Sequence, residues 1–397
     1  MAVVALVVWV GRRARTRVPA TIPQQGFAVR VLLFDNIRSC TLAARDGLEL
    51  RGRDGTSYAV RDGSAAAVVL ALSEGRIVAG EYALGREVAV SSDPSGVVEI
   101  DGQKYRGSLN FLVGADGGSF DVVNVVPAEA YLAGVIGAEM PSYWEIEALK
   151  AQAVASRTYA LYHKQKYGPQ RSWDLRRTEG NQVYRGLAAE TATVREAVRQ
   201  THGIVLLCRS NSGETLFPAY FGSTCGGHTE SSRNVFGDDW SPLIGVACPY
   251  CTATAPAAYL EWPAVEMDVA EVWKRLVEQY PTLQRLESIE AIEPAVVGEY
   301  GDLRRITRVR LVGNNGKSQR LEAENLRLTL DPTGRKLKST ACVIERSGNL
   351  FRFHSGRGFG HAVGMCQYGA EGLARASKTC EDILALYYPG ARTCKLY

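Results

Sequence analysis

Residues 126–162, VPAEAYLAGVIGAEMPSYWEIEALKAQAVASRTYALY, decide the fold. They read as two helices meeting at a sharp corner, with Glu139 at the corner. Pro127 suits a first helical turn, where a missing N–H costs nothing. Pro141 disfavours helical geometry at Met140, so the first helix should stop there. Ser142 and Glu145 form an S-x-x-E capping box to start the second helix. That helix is Ala-rich, with good propensity through Ala160. Glu139 then lies between the negative end of one helix and the positive end of the next, two fields that pull its pKa in opposite directions. Burial beside Met140, Tyr143 and Trp144 would raise it, as a general acid requires.

Upstream of the corner the text turns β-rich. VRVLLFD, SYAVRD, AAVVLAL, GRIVAGEY, REVAVS, GVVEIDG and LNFLVG are short apolar runs separated by Asp, Gly and Ser. Asp54-Gly55, Asp62-Gly63 and Asp101-Gly102 suit hairpin turns. Downstream, GNQVYRG places Gln182 beside Tyr184, an amide and an aromatic that can bind and stack on a sugar or equally cap a core strand. MDVAEVWKRLVEQY reads as an amphipathic helix, and SIEAIEPAV and DLRRITRVRLVG as strands, with Asn314-Asn315-Gly316 as a turn. The expected class is α+β: a β-rich part over 27–125, then a mixed α/β core with a central cleft over 126–397.

The 397 residues are 46% hydrophobic and 22% charged, which specifies a soluble globular protein with an ample core. A net charge of +4 is mildly basic and suits an anionic partner. No dense Lys/Arg tract marks a nucleic-acid groove binder. Residues 1–26 begin with a ten-residue apolar run, too short to span a bilayer. Basic residues follow that run, the reverse of a secretory signal. The segment reads as a truncated anchor that would tether the chain to a membrane.

Cysteine is used unevenly. Cys225, Cys248 and Cys251 cluster, while the other six lie apart, as small buried hydrophobes do. Cys225-Gly-Gly-His228 and Cys248-Pro-Tyr-Cys251 supply the four ligands of a closed tetrahedral zinc site within an insert near 217–252. Gly226 and Gly227 permit the required turn. A disulfide among these cysteines is the alternative in an oxidising compartment. His228-Thr229-Glu230 followed by C-x-x-C also imitates the zinc-deaminase pattern, a remote alternative because Ala247 replaces its proline and Cys225 would close the open position.

FHSGRGFGHAVGMCQYGAEGLARA, near the C-terminus, offers His361 and Gln367 as polar groups on a glycine-rich loop. Gly358, Gly360, Gly364 and Gly369 allow tight turns. The loop lacks the G-K-[ST] of a P-loop and the βαβ setting of a dinucleotide site.

GAEMPSYWEIEALKAQAVASRTYAL resembles the signature of the stage II sporulation protein D family, which includes amidase enhancers of bacterial cell walls. The glycine-rich loop resembles that family's G-x-G-H-G-V-G-M-S-Q-x-G-A, departing at Ala362 for Gly and Cys366 for Ser. Gln182, Val183, Tyr184 and Gly186 resemble its Q-V-Y-x-G element. The resemblance implies a peptidoglycan lytic transglycosylase that cuts the MurNAc–GlcNAc β-1,4 bond and leaves a 1,6-anhydro sugar, with Glu139 as its catalytic acid. It implies that Lys150 and Arg157, seven apart on one helix face, hold the substrate or orient Glu139, with Gln182, Tyr184, His361 and Gln367 lining the cleft. The zinc would be structural, the location the cell envelope outside the cytoplasm, and a cell-wall amidase a partner. A non-catalytic amidase enhancer is the alternative. No nucleic acid is implied.

Overall fold

The computed structural model describes residues 26–45, 47–60, 66–92, 96–211 and 213–397. The expected anchor over 1–26, Gly26 apart, and the Asp62-Gly63 turn lie outside them. Among the described residues no helix is long and apolar enough to cross a membrane. The chain is α+β, as expected. It forms two compact units. The first comprises the described residues up to Leu207 with Gly213–Pro218 and Thr393–Tyr397, and the second residues 208–211 with Ala219–Arg392.

The first unit opens with β1 (Ala28–Ile37), β2 (Ser39–Ala44), β3 (Leu48–Gly52), β4 (Ser57–Val60), β5 (Ala66–Ser73), β6 (Arg76–Ala79), β7 (Tyr82–Gly85), β8 (Glu87–Ser91), β9 (Val97–Ile100), β10 (Gln103–Arg106), β11 (Ser108–Val113) and β12 (Phe120–Pro127). They make a six-stranded sheet, β10-β9-β2-β5-β6-β7, and a seven-stranded one in which a short β13 (Leu175–Arg176) precedes β1-β12-β11-β8-β3-β4. The apolar runs alternate in burial as half-buried strands must; in β8, Val88 and Val90 point in while Glu87 and Ala89 point out. Both testable hairpin signals hold. Asp54-Gly55 joins antiparallel β3 and β4. Asp101 and Gly102, at φ 45° and 79°, join β9 and β10 with two left-handed residues, the geometry that matches strand twist.

β12 is the strand that places the corner. It pairs antiparallel with β1 on one side and β11 on the other, so its end is fixed on both flanks. α1 (Ala128–Glu139) leaves directly from that end, the Ala128 N–H donating to the Phe27 carbonyl at 2.8 Å. A domain boundary expected between residues 125 and 126 therefore falls inside one compact unit. Pro127 ends the strand and caps α1 without entering it. Pro141 acts as expected: α1 stops at Glu139 and Met140 is extended. The capping box does not form. α2 (Ile146–Tyr167) starts one residue past Glu145, which stands at its N-cap without a side-chain capping bond, and Ser142 lies in the intervening turn. Apolar contact supplies the anchor instead, because Met140 and Trp144 are buried on either side of the turn.

The second unit is built on a three-stranded antiparallel sheet, Ile289–Tyr300, Leu303–Gly313 and Ser318–Glu322, whose last hairpin turns at the expected Asn-Asn-Gly. Helices Val269–Gln279 and Ala323–Leu330 bury Val272, Leu276 and Leu326 against Val309 and Leu311. The glycine-rich loop enters this unit by a short parallel pairing, Phe221 with Met365 and Gly222 with Cys366. Gly364 is required there, since an added Cβ would lie 1.9 Å from the Tyr220 carbonyl oxygen. Ala362, where the resemblance calls for glycine, takes φ 60°, a left-handed position that costs an L-residue about 1 kcal/mol.

Candidate active-site corner and thiolate site

Glu139 closes α1 as a half-buried side chain, and its Oε1 accepts a 2.7 Å hydrogen bond from the Val183 backbone N–H. The sequence around Val183 is organised to deliver that N–H. Gln182 and Tyr184, its neighbours, both turn into the core. Gln182 accepts from the Tyr131 hydroxyl at 2.8 Å, and Tyr184 donates to Asn124 of β12 at 2.9 Å. Gly134 and Gly137 leave room on α1 for the segment to lie against it. A Cβ at Gly134 would meet the Tyr184 ring at 2.5 Å, and one at Gly137 would meet the Ala189 carbonyl at 2.0 Å. The Arg185 N–H then donates to the Gly134 carbonyl. Core packing thus holds Glu139 at one oxygen.

Gln182 and Tyr184 are both buried and position the backbone between them. Tyr184 borders a cleft shared with Gln103 and Lys104, whereas for Gln182 the expectation of lining a cleft is corrected. Arg157 is corrected likewise. It is fully buried, its guanidinium paired with both Glu129 oxygens at 2.7 and 2.8 Å, and it also donates to the Ile204 carbonyl. Burial alone would raise the Glu129 pKa, but Arg157 and the Tyr397 hydroxyl hold it below the usual carboxylate range. Lys150, on the same helix, is engaged by Glu147 at 2.7 Å. At the turn itself Tyr143 is not part of the wall expected around Glu139: it is 83% exposed. An exposed aromatic four residues from the carboxylate offers a stacking face that sequence reading assigned to the interior.

The second unit carries His361, Gln367 and the cysteines. His361 is half-buried. Its Nδ1 accepts from the Val363 N–H at 2.9 Å, so in the neutral ring Nε2 carries the proton. Burial lowers its pKa to about 4, with the Glu324 carboxylate opposing. Tyr220 and Phe236 stand edge-on to the ring. Gln367, at the first turn of helix Gln367–Arg375, is buried.

The cysteine cluster corrects the ligand set. The sulfurs of Cys225, Cys248, Cys251 and Cys366 lie within 4.8 Å of one another, all buried. His228 is elsewhere: its ring stacks on Tyr300 at 3.8 Å and its Nδ1 faces the Thr229 carbonyl at 2.6 Å. Cys366, the residue standing where the resemblance has serine, completes the group. Spacing could not show this, because parallel pairing of residues 221–222 with 365–366 is what brings it there. A zinc–sulfur bond of about 2.3 Å in a tetrahedron separates sulfurs by roughly 3.8 Å. The Cys225–Cys251 distance of 3.6 Å fits that spacing, and all nine cysteines are free thiols. Four thiolates around a divalent ion carry net negative charge. Arg305, fully buried, donates to the Cys225 carbonyl at 2.6 Å and leaves Nε and Nη1 without partners, a cation placed to offset that charge. The donor set fits zinc as a closed site. It does not fit a deaminase, since no position remains for water, and Glu230 is tied up by the Tyr300 hydroxyl, the Ser231 N–H and the Asn234 amide.

Fold and site together define a class: an α+β protein presenting a carboxylate at a two-helix corner, with a cluster of four buried cysteines in its second unit. The family model for the stage II sporulation protein matches residues 116–207, the segment holding that corner. An uncharacterized protein of Brachyspira hyodysenteriae is 33% identical over 335 residues, covering 81% of this chain and 83% of its own length. The amidase enhancer of Bacillus subtilis is 28% identical over 332 residues, covering 74% of this chain but 44% of its own. Stage II sporulation protein D of the same organism is 29% identical over 294 residues, covering 68% of this chain and 75% of its own. The chain belongs to the stage II sporulation protein D family.

Proposed function

We propose that the protein acts on the bacterial cell wall, outside the cytoplasmic membrane, as a lytic transglycosylase of peptidoglycan glycan strands. The observation that carries this is Glu139: a carboxyl half-open to solvent, held at one oxygen by the Val183 N–H. The protonated carboxyl donates to the glycosidic oxygen as the bond from C1 of N-acetylmuramic acid breaks. Positive charge then develops on the sugar ring. The 6-hydroxyl of the same sugar attacks C1, and the resulting carboxylate takes its proton. The proton lent is returned, no water is consumed and a 1,6-anhydro ring results. One carboxyl performs both steps, so no second one is needed. Glu147, on the helix that follows the corner, is held in its pair with Lys150. Exposed Tyr143 supplies a face on which a sugar ring stacks.

Zinc, bound by Cys225, Cys248, Cys251 and Cys366, would pin the glycine-rich loop, through Cys366, to the two earlier segments that carry the other three ligands, and takes no part in the reaction. A second reading, a wall-binding protein that enhances a partner amidase, is favoured by the name of the Bacillus subtilis relative. Glu139→Gln separates the two. Solubilisation of dye-labelled walls by the purified protein should fall at least about a hundredfold in this variant, with glycan binding retained. Undiminished release would sink the transglycosylase reading.

A further inference from the structure

A cleft of about 760 Å³ opens in the first unit, lined by Gly102, Gln103, Lys104, Arg177, Val183 and Arg185 among others. Its walls come from two distant stretches of chain. The β9–β10 hairpin brings Gly102, Gln103 and Lys104, and the segment following β13 brings the rest. Gly186 seals the two together, for a Cβ there would lie 2.3 Å from the Lys104 carbonyl. Arg177 ties them further, donating to Gln103 at 2.9 Å and to the Tyr105 hydroxyl at 3.2 Å. Among the described residues three cations line this cleft, and none of the lining residues is acidic. Lys104 and Arg185 are exposed, and among the described residues the lysine's ion-pair partner is Glu99 at 3.8 Å. The volume is that of a site for a drug-sized ligand. Val183 both lines the cleft and holds Glu139.

We infer that this cleft binds a carboxylate-bearing substituent of the glycan, with Lys104 and Arg185 as the cations that select it. The inference rests on the wall-glycan reading of the corner and adds the substrate feature that the protein chooses. Two sources share the chemistry: the lactyl carboxylate of a peptide-free muramyl residue and the carboxylates of a stem peptide. Selection by exposed cations is electrostatic, so it weakens as salt rises.

The test is equilibrium binding by the full chain carrying Glu139→Gln, which holds substrate without turning it over. Three probes are compared: peptide-free muramyl glycan, the same glycan with stem peptides, and a chitin oligosaccharide of equal length, which has no carboxylate. One or both muramyl probes should bind about tenfold more tightly than chitin, and which one gains identifies the carboxylate source. Adding Lys104→Gln and Arg185→Gln should erase the preference and leave chitin binding within about twofold, since two exposed side chains contribute little to folding. A preference that is absent, or that survives the double substitution, overturns the inference. If wild-type protein cleaves strands without any such preference, only this inference fails. If the preference stands and wild type cleaves nothing, only the transglycosylase reading fails.

Discussion

Replacing Cys366 by serine tests the thiolate site where sequence and structure disagree most sharply. Serine keeps the volume and the backbone but offers a hydroxyl that does not ionise near neutrality. The four sulfurs lie within 4.8 Å of one another, and the 3.6 Å between Cys225 and Cys251 matches the roughly 3.8 Å expected around zinc. Structural zinc sites contribute about 10–16 kcal/mol of apparent binding energy at neutral pH. Loss of one of four equivalent thiolates should remove about a quarter, some 3 kcal/mol, which is a hundredfold or more in affinity. The loss should reach folding as well, because Cys366 begins the helix that packs on the Cys251 turn and Gly369 lies against Cys248. Metal content by elemental analysis, with competition against a chromogenic chelator, reads the effect. Wild type should hold about one zinc per chain. Cys366→Ser should release it at far lower chelator concentration, and His228→Ala should behave as wild type. Zinc lost with His228→Ala but retained with Cys366→Ser would refute the reasoning, and so would a wild-type preparation free of metal.

Three further outcomes follow from the first unit. Arg157→Leu strands Glu129 without its partner and should cost about 3–5 kcal/mol in urea unfolding; a variant that keeps wild-type stability and only binds substrate poorly would restore Arg157 to the site. Gly137→Ala gains up to about 1 kcal/mol of helix propensity but drives a Cβ into the Ala189 carbonyl, so it should be destabilised by roughly 1–3 kcal/mol net and lose turnover as Val183 shifts from Glu139. His163, stacked on Tyr159 with Nδ1 buried and unpartnered, has its pKa pushed down to about 3 by burial and then by Lys166 and Arg171. The unfolded chain takes up that proton near its ordinary 6.5 and the folded chain does not, so stability is greatest above about pH 6.5 and falls as pH drops toward 3. His163→Phe should flatten that part of the curve in melting scans between pH 7 and 4; an unchanged slope would show that His163 does not contribute.

What could be read from the sequence was local. Alternating apolar runs specify strands because burial on one face has a period of two, and Pro141 specifies the end of α1 because it restricts the residue before it. Glu139 could be placed at the corner for the same reason. What escaped was set by partners remote in the chain. The capping box at Ser142 lost to burial of Met140 and Trp144, a tertiary effect outweighing a local preference of about 1 kcal/mol. Arg157, Gln182 and Tyr184 carry the polar atoms of a site, yet Glu129, Tyr131 and Asn124 consume them inside the core. Cys366 was visible as an unexpected thiol, and only strand pairing shows what it joins. The cleft's cations are scattered over two segments that no periodicity links.

The product of cleavage tests the account most directly. Purified glycan strands treated with the full chain and analysed by mass spectrometry should yield fragments ending in 1,6-anhydro-N-acetylmuramic acid, each lighter by one water than a hydrolysed end. The same digest with Glu139→Gln should yield none. Reducing-end muramic acid, or anhydro ends that persist in the variant, would contradict a single carboxyl acting first as acid and then as base.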